Sequence, residues 1–189
     1  MTTALVIGRH VPYVTSWTSE TNPPRPRIIV RPDGCGIGYA DETMTDRDKQ
    51  GVLWSRVPFT PGVGKPVFGA VHSLRQRRAM RRLLCQVCGQ PADHISTGVL
   101  WMLRDYRHDW DSWPAGMGVT EPPICRACAT HSAQACPALR RGYVLVRVAA
   151  HPVVGVHGII YHPDSQLRPD IATREFHDPL IRWTVAHSS

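Results

Sequence analysis

The sequence predicts an α+β protein, a β-rich body carrying a smaller metal-knuckle module. Three observations predict it. Apolar runs in residues 1–70 are short and broken by turn-forming residues. One stretch free of Pro and Gly, residues 71–84, has the length of a helix. Five of the 6 cysteines fall between residues 85 and 136, four of them in two Cys-x-x-Cys pairs.

The body begins with apolar runs at Ala4–Ile7, Ile28–Val30 and Val52–Val57, separated by Asn22-Pro23-Pro24 and Pro32-Asp33-Gly34. Prolines at 12, 23, 24, 26, 32, 58, 61 and 66 exclude a long helix there, because proline lacks the N–H donor and its ring clashes with the preceding turn. Asp41–Asp48 is acidic and polar, which predicts a loop tip. Gly34-Cys35-Gly36-Ile37-Gly38 lacks the Lys-Ser/Thr of a phosphate-binding loop and reads as a β-turn with a lone thiol.

The helix over residues 71–84, VHSLRQRRAMRRLL, has Val71, Leu74, Met80, Leu83 and Leu84, with Ala70 just ahead of it, as an apolar remainder that can pack. The metal module is expected from Leu84 to Arg141. After it come strands at Tyr143–Val148 and Val153–Tyr161, a Pro/Asp-rich loop, and an apolar end around Ile181–Val185. GVLW occurs at 51–54 and 98–101, and both copies read as strands with a buried Trp. The expected division is residues 1–70 as a β-rich part, 71–142 as basic helix plus module, and 143–189 as strands packing on the same core. With 189 residues, 42% hydrophobic and 20% charged, the chain is long and apolar enough to build one compact unit.

Composition excludes some classes. No run reaches the roughly 18 apolar residues of a membrane helix; Tyr143–Tyr161 is broken by Arg147, His151 and His157. MTTALVIGRH has no basic segment ahead of its short apolar run and no small-residue cleavage site, so a cytoplasmic protein is expected, neither membrane-bound nor secreted. The formal charge is +7, which favours anionic partners. Of the 22 cations, however, only Lys49 and Lys65 are lysine. Together with 17 prolines and 15 glycines, that ratio fits a genome rich in G and C, and it weakens charge as a functional clue.

Cys85-Gln-Val-Cys88 is followed by Gly89, a spacing that lets two thiolates face one ion while glycine takes the tight backbone turn. Cys125-Arg-Ala-Cys128 follows Pro122-Pro123 and opens a proline-free run to Ala135. That pattern predicts a helix, with the two sulfurs three residues apart on one face. In a reducing compartment these four thiols predict one structural Zn²⁺ per chain, bound by Cys85, Cys88, Cys125 and Cys128. His131 and Cys136 could each replace one of the four thiols; the readings preferred are His131, one turn past Cys128, facing solvent or backing a ligand, and Cys136 as a buried small hydrophobe. Between the pairs lie a turn at Gln90–Asp93, a strand at Thr97–Leu103, and room for a return strand near Val119.

Knuckle, hairpin, then a helix bearing the second pair: over residues 84–138 this resembles the treble-clef zinc finger. The 36 residues 89–124 exceed the usual spacer, and an insertion at Asp105–Thr120 accounts for the excess. With CQVCG…PPICRACA and this composition, the chain looks like phage- or mobile-element-type zinc-finger proteins of high-GC bacteria. Asp93-His94-Ile95 also resembles the entry to the hairpin of HNH nucleases. That resemblance implies His94 as general base, Asp93 as its orienter or a metal ligand, and His131 as the helix-borne histidine. The chain departs from the pattern at Ala129, where a helix His is usual, and its only asparagine is Asn22.

Arg75, Arg77, Arg78, Arg81 and Arg82 fall within eight residues and, on a helix, form rows 75/78/82 and 77/81. They are the candidate phosphate contacts, predicting DNA, RNA or a protein of the transcription machinery as partner. A solvated basic face is the alternative. DYRHDWDSW (105–113) offers aromatic anchors for a protein partner, or else folds its Trp residues onto the core. His151 and His157 share strand parity, with His162 opposite and only Asp164 as a nearby carboxylate. The functional expectation is a zinc-stabilised binding protein, with a divergent nuclease or a protein–protein adaptor as alternatives.

Overall fold

The computed structural model describes residues 11–23, 25–109, 111–162 and 169–188. The run Ala4–Ile7, Trp110 and Asp164 lie outside them. In chain order the elements are β1 (Thr15–Trp17), β2 (Ile28–Val30), β3 (Ile37–Tyr39), β4 (Leu53–Trp54), β5 (Pro66–Val71), α1 (Ser73–Arg82), β6 (His94–Ile95), β7 (Gly98–Arg104), α2 (Arg126–Ala135), β8 (Tyr143–Val148), β9 (Gly155–Ile160), β10 (Asp170–Glu175) and β11 (Thr184–Ser188). Among the described residues strands dominate, with two α-helices, as an α+β chain requires. No helix among the described residues is long and apolar enough to cross a membrane.

The strands form four small sheets: β1-β5, β2-β3, β10-β9-β11-β4 and β6-β7-β8. In the four-stranded sheet, β11 lies antiparallel to β9 and parallel to β4, with Val185 opposite Leu53 and Ala186 opposite Trp54. Alternate residues of β4 feed opposite faces. Leu53 packs with Ile37, Tyr39 and Val185, while Val52 and Trp54 pack with Val156 and Ala186. The second GVLW copy lies wholly in β7 and the first ends in β4, and their tryptophans, Trp101 and Trp54, are both buried strand residues.

The structure corrects three expectations and sharpens a fourth. Asp41–Asp48 is a loop, exposed from Asp41 to Thr45, whose later acids turn inward. Asp46 accepts from the Arg56 Nε at 2.8 Å and the Thr43 N–H at 2.7 Å. Asp48 Oδ2 accepts from Trp54 Nε1 at 2.9 Å. Inward-facing arginines and an indole need acceptors, and this loop supplies them.

The packing face of α1 differs too. Arg75, Gln76 and Ala79 are its buried residues, together with Ser73, whereas Val71 is exposed. The cause is polar matching: Arg75 meets Glu20 and the Thr15 carbonyl, and Gln76 Nε2 donates to the Thr120 carbonyl at 2.6 Å. No strand forms near Val119; β7 pairs instead with β8, from Val99 opposite Val148 to Arg104 opposite Tyr143. The first C-terminal strand therefore completes the sheet of the cysteine module. Finally, His151 precedes β9 and packs on Trp101, whereas His157 lies within β9 and meets Thr173, so the two do not share a face.

Candidate metal centre

The first cysteine pair sits on a knuckle gripped from both sides. The Tyr13 and Val14 N–H groups donate to the Val87 and Gln86 carbonyls at 2.8 and 3.2 Å, and the Gln86 N–H donates to the Pro123 carbonyl at 2.9 Å. Within the turn, the Cys85 N–H donates to Gln90 O at 2.7 Å and the Gly89 N–H to Cys85 O at 2.8 Å. Gly89 has φ +70°, and a Cβ there would stand 2.9 Å from the Tyr13 ring. Only glycine satisfies both the left-handed backbone and the ring beside it.

The second pair is held by α2. Cys125 is its N-cap and Cys128 lies in the first turn. Pro122-Pro123 ahead of it suits the extended entry, and the Ile124 N–H donates to Leu100 O at 2.9 Å, fixing the helix start against β7. Residues buried beneath the pair include Val87, Leu100, Met102, Ile124 and Ala129.

The four sulfurs of Cys85, Cys88, Cys125 and Cys128 lie within 4.8 Å of one another, and Cys88 Sγ is 3.9 Å from Cys125 Sγ. Zn–S bonds of about 2.3 Å in a tetrahedron demand S···S separations of roughly 3.8 Å, so the donor set fits one such ion. All four cysteines are free of disulfides. Burial pushes the Cys88 thiol up to about 11, and burial with the adjoining Cys125 raises Cys128 as well. Burial also opposes ionisation of Cys85, but the N–H groups of Cys88, Cys125 and Val87 outweigh it and hold that thiol below its ordinary range. Four thiols this close cannot all ionise without a cation, so binding a divalent metal must release protons.

Cys136 caps the C-terminus of α2 and is half-buried, outside the cluster. His131 is exposed on α2 and is likewise not part of the cluster. His94 is exposed on the two-residue strand β6. Asp93 is committed elsewhere: Arg147 Nη2 binds its Oδ1 and Arg147 Nη1 donates to its carbonyl at 3.0 Å, with Arg126 Nε 3.7 Å from its Oδ2.

The five arginines of α1 separate into different environments. Arg75 is buried, with Nη1 and Nη2 on the Glu20 carboxylate. Arg77 is half-buried, its guanidinium 4.2 Å from the Trp54 ring centroid. Arg78 reaches the Tyr13 hydroxyl at 3.2 Å, and Arg81 the Asp48 carboxylate at 2.8 Å. Arg78, Arg81 and Arg82 are the exposed members. The helix thus turns one arginine inward, spends a second on an indole, and leaves three toward solvent.

Glu20 was not legible as a site residue. Its carboxylate also accepts the N–H groups of Trp17 and Thr60, each at 2.9 Å. The one local signal is its spacing of three from Trp17, that of a capping box closing on its own turn. Compared with protein-family models, with curated proteins and with solved structures, the chain finds no match in any of the three.

Proposed function

We propose that Cys85, Cys88, Cys125 and Cys128 hold one structural zinc ion in a treble-clef-like module, and that the chain is a binding protein contacting nucleic acid or a nucleic-acid-associated protein through α1. The observation that carries this reading is the sulfur cluster itself, four thiols from a knuckle and a helix converging within 4.8 Å. Four thiolates fill a tetrahedral ion and leave no position for water, so the ion stabilises the fold and activates nothing. The knuckle then fixes the segment that follows α1, which supports the helix as a rigid contact surface. Of its arginines, Arg78, Arg81 and Arg82 are exposed, which supports them as the phosphate contacts.

The nuclease reading draws less support, because Asp93, which would orient His94 or bind a catalytic ion, is already held by Arg147. Metal analysis tests the first part of the proposal; salt-dependent binding of DNA and RNA by wild type and by arginine variants tests the second. Metal-free folded protein would remove the zinc reading. Binding insensitive to salt would remove the phosphate contacts.

A further inference from the structure

A cleft of about 460 Å³ opens beside the C-terminal end of α1, where the loop before β4, the segment between β8 and β9, and the residue after β10 converge. That volume lies within the roughly 300–1,000 Å³ of small-molecule sites. Leu83, Val153 and Phe176 supply apolar surface, and Lys49, Arg81 and His151 supply N–H donors. The nearest acceptors are engaged, Gln50 Oε1 with Arg81 Nη2 at 3.5 Å and the Asp48 carboxylate with four donors. Asp48, the adjacent carboxylate, is 2% exposed in its side chain. Its Oδ1 takes the Gln50 and Val52 N–H groups, and its Oδ2 takes Trp54 Nε1 and Arg81 Nη2. Two carbonyls of the last turn of α1 are capped as well, since the Leu83 N–H donates to Met80 O and the Leu84 N–H to Ala79 O.

Arg81 is anchored through Nη2 alone, on Asp48 Oδ2 at 2.8 Å and Gln50 Oε1 at 3.5 Å, which leaves, among the described residues, its Nε and Nη1 hydrogens for a ligand. His151 is fixed by packing on Trp101, ring centroids 5.6 Å apart, and Trp101 in turn donates to Glu121 O at 2.9 Å. Donors around an apolar wall, two of them held in place, match a ligand with an anionic head and a flat or greasy body. Guanidinium and ammonium together favour a phosphate head.

We infer that this cleft binds an aromatic organophosphate of nucleoside-monophosphate size, its phosphate on Lys49, Arg81 and His151 and its ring against Leu83, Val153 and Phe176. Two sources carry that chemistry: a free nucleotide, and the 5′-phosphorylated end of a nucleic-acid strand. The inference goes beyond the metal centre and the helix contacts; it shares Arg81 with the latter, so AMP binding rather than duplex binding is its readout.

The test is calorimetric titration of the zinc-loaded full chain with AMP, adenosine and inorganic phosphate, then with one oligonucleotide bearing a 5′-phosphate or a 5′-hydroxyl. AMP is expected to bind saturably, and adenosine and phosphate at least about tenfold more weakly, since each keeps only part of the contacts. Tighter binding of the 5′-phosphorylated strand than of AMP assigns the nucleic-acid end; the reverse order assigns the free nucleotide. Val153→Trp fills the cleft and should abolish AMP binding with zinc content unchanged. Lys49→Glu, at an exposed position, should weaken it by about tenfold or more and guards against misfolding of the first variant. AMP that fails to bind, adenosine binding as tightly as AMP, or a folded Lys49→Glu chain with wild-type affinity overturns the inference. Zinc content and duplex binding, measured on the same sample, report the earlier reading independently.

Discussion

Arg75 closes a fork on Glu20: Nη1 lies 2.9 Å from Oε1 and Nη2 lies 2.7 Å from Oε2, with side chains 3% and 0% exposed. The pair joins α1 to the turn after β1 and, through the Thr60 N–H, to the segment before β5. Arg75→Met strips the partner from a buried carboxylate and should cost about 3–5 kcal/mol. Glu20→Gln with Arg75→Met should cost less than Arg75→Met alone, because no charge is left buried. Urea unfolding of the three chains, zinc-loaded, checks the order.

The same pair sets an acid response. Burial alone would raise Glu20, but Arg75 and the N–H groups of Trp17 and Thr60 outweigh it and hold the carboxyl at about 2, below its ordinary 4.5. A depressed pKa stabilises the fold fully above pH 4.5, and that share is lost as pH falls toward 2. The loss is on the order of 3 kcal/mol. Stability measured against pH should fall through this window in the wild type. The Glu20→Gln, Arg75→Met chain should lack this component of the slope, and equal slopes would refute the assignment.

Zinc analysis should give about one ion per chain. Cobalt substitution should produce the thiolate charge-transfer band of a tetrahedral sulfur site. Cys88→Ser or Cys128→Ser should lower metal affinity sharply, and a chelator should melt the segment from the knuckle through α2. Cys136→Ser should do none of this, because Cys136 lies outside the cluster.

Gly89→Ala should destabilise the knuckle by about 1–2 kcal/mol from the left-handed backbone alone, with the Tyr13 ring adding to it. Tyr13→Ala combined with Gly89→Ala should recover the ring's share and not the backbone's. Metal affinity and thermal midpoint together read the effect.

Arg78→Ala and Arg82→Ala should each lower the salt slope of nucleic-acid binding by about 1, while Arg77→Ala, whose charge sits on Trp54, should leave the slope nearly unchanged. Plasmid DNA with magnesium or manganese should stay intact. Cleavage abolished by His94→Ala would restore the nuclease reading.

The parts legible in the sequence were those whose chemistry is local. PPICRAC marks the entry and first turn of α2, and the run ends at Ala135, immediately before Cys136-Pro137. Both GVLW strands and Ile28–Val30 carry their own β-forming residues. The rest depends on partners far away. Nothing distinguishes Arg75 from Arg78 until Glu20, 55 residues earlier, is seen to lie beneath it. β10 was missed because Asp170–Glu175 is a mostly exposed edge strand, paired among the described residues only with β9, so apolar alternation never had to be written into it. The partner of β7 was misplaced at Val119 because hairpin reasoning expects the nearest return, whereas α2 intervenes before β8.

The parallel pairing of β4 with β11 has a consequence for synthesis on the ribosome. Val52, Leu53 and Trp54 leave the exit tunnel long before Val185 and Ala186, their neighbours in the sheet and its cores, have been translated. For that interval a buried-type strand edge stands uncovered, the kind of surface that captures chaperones or pairs with other nascent chains. A chain truncated before β11 should therefore be aggregation-prone even with its cysteine cluster intact, and yield of soluble product should depend on translation reaching Thr184–Ser188.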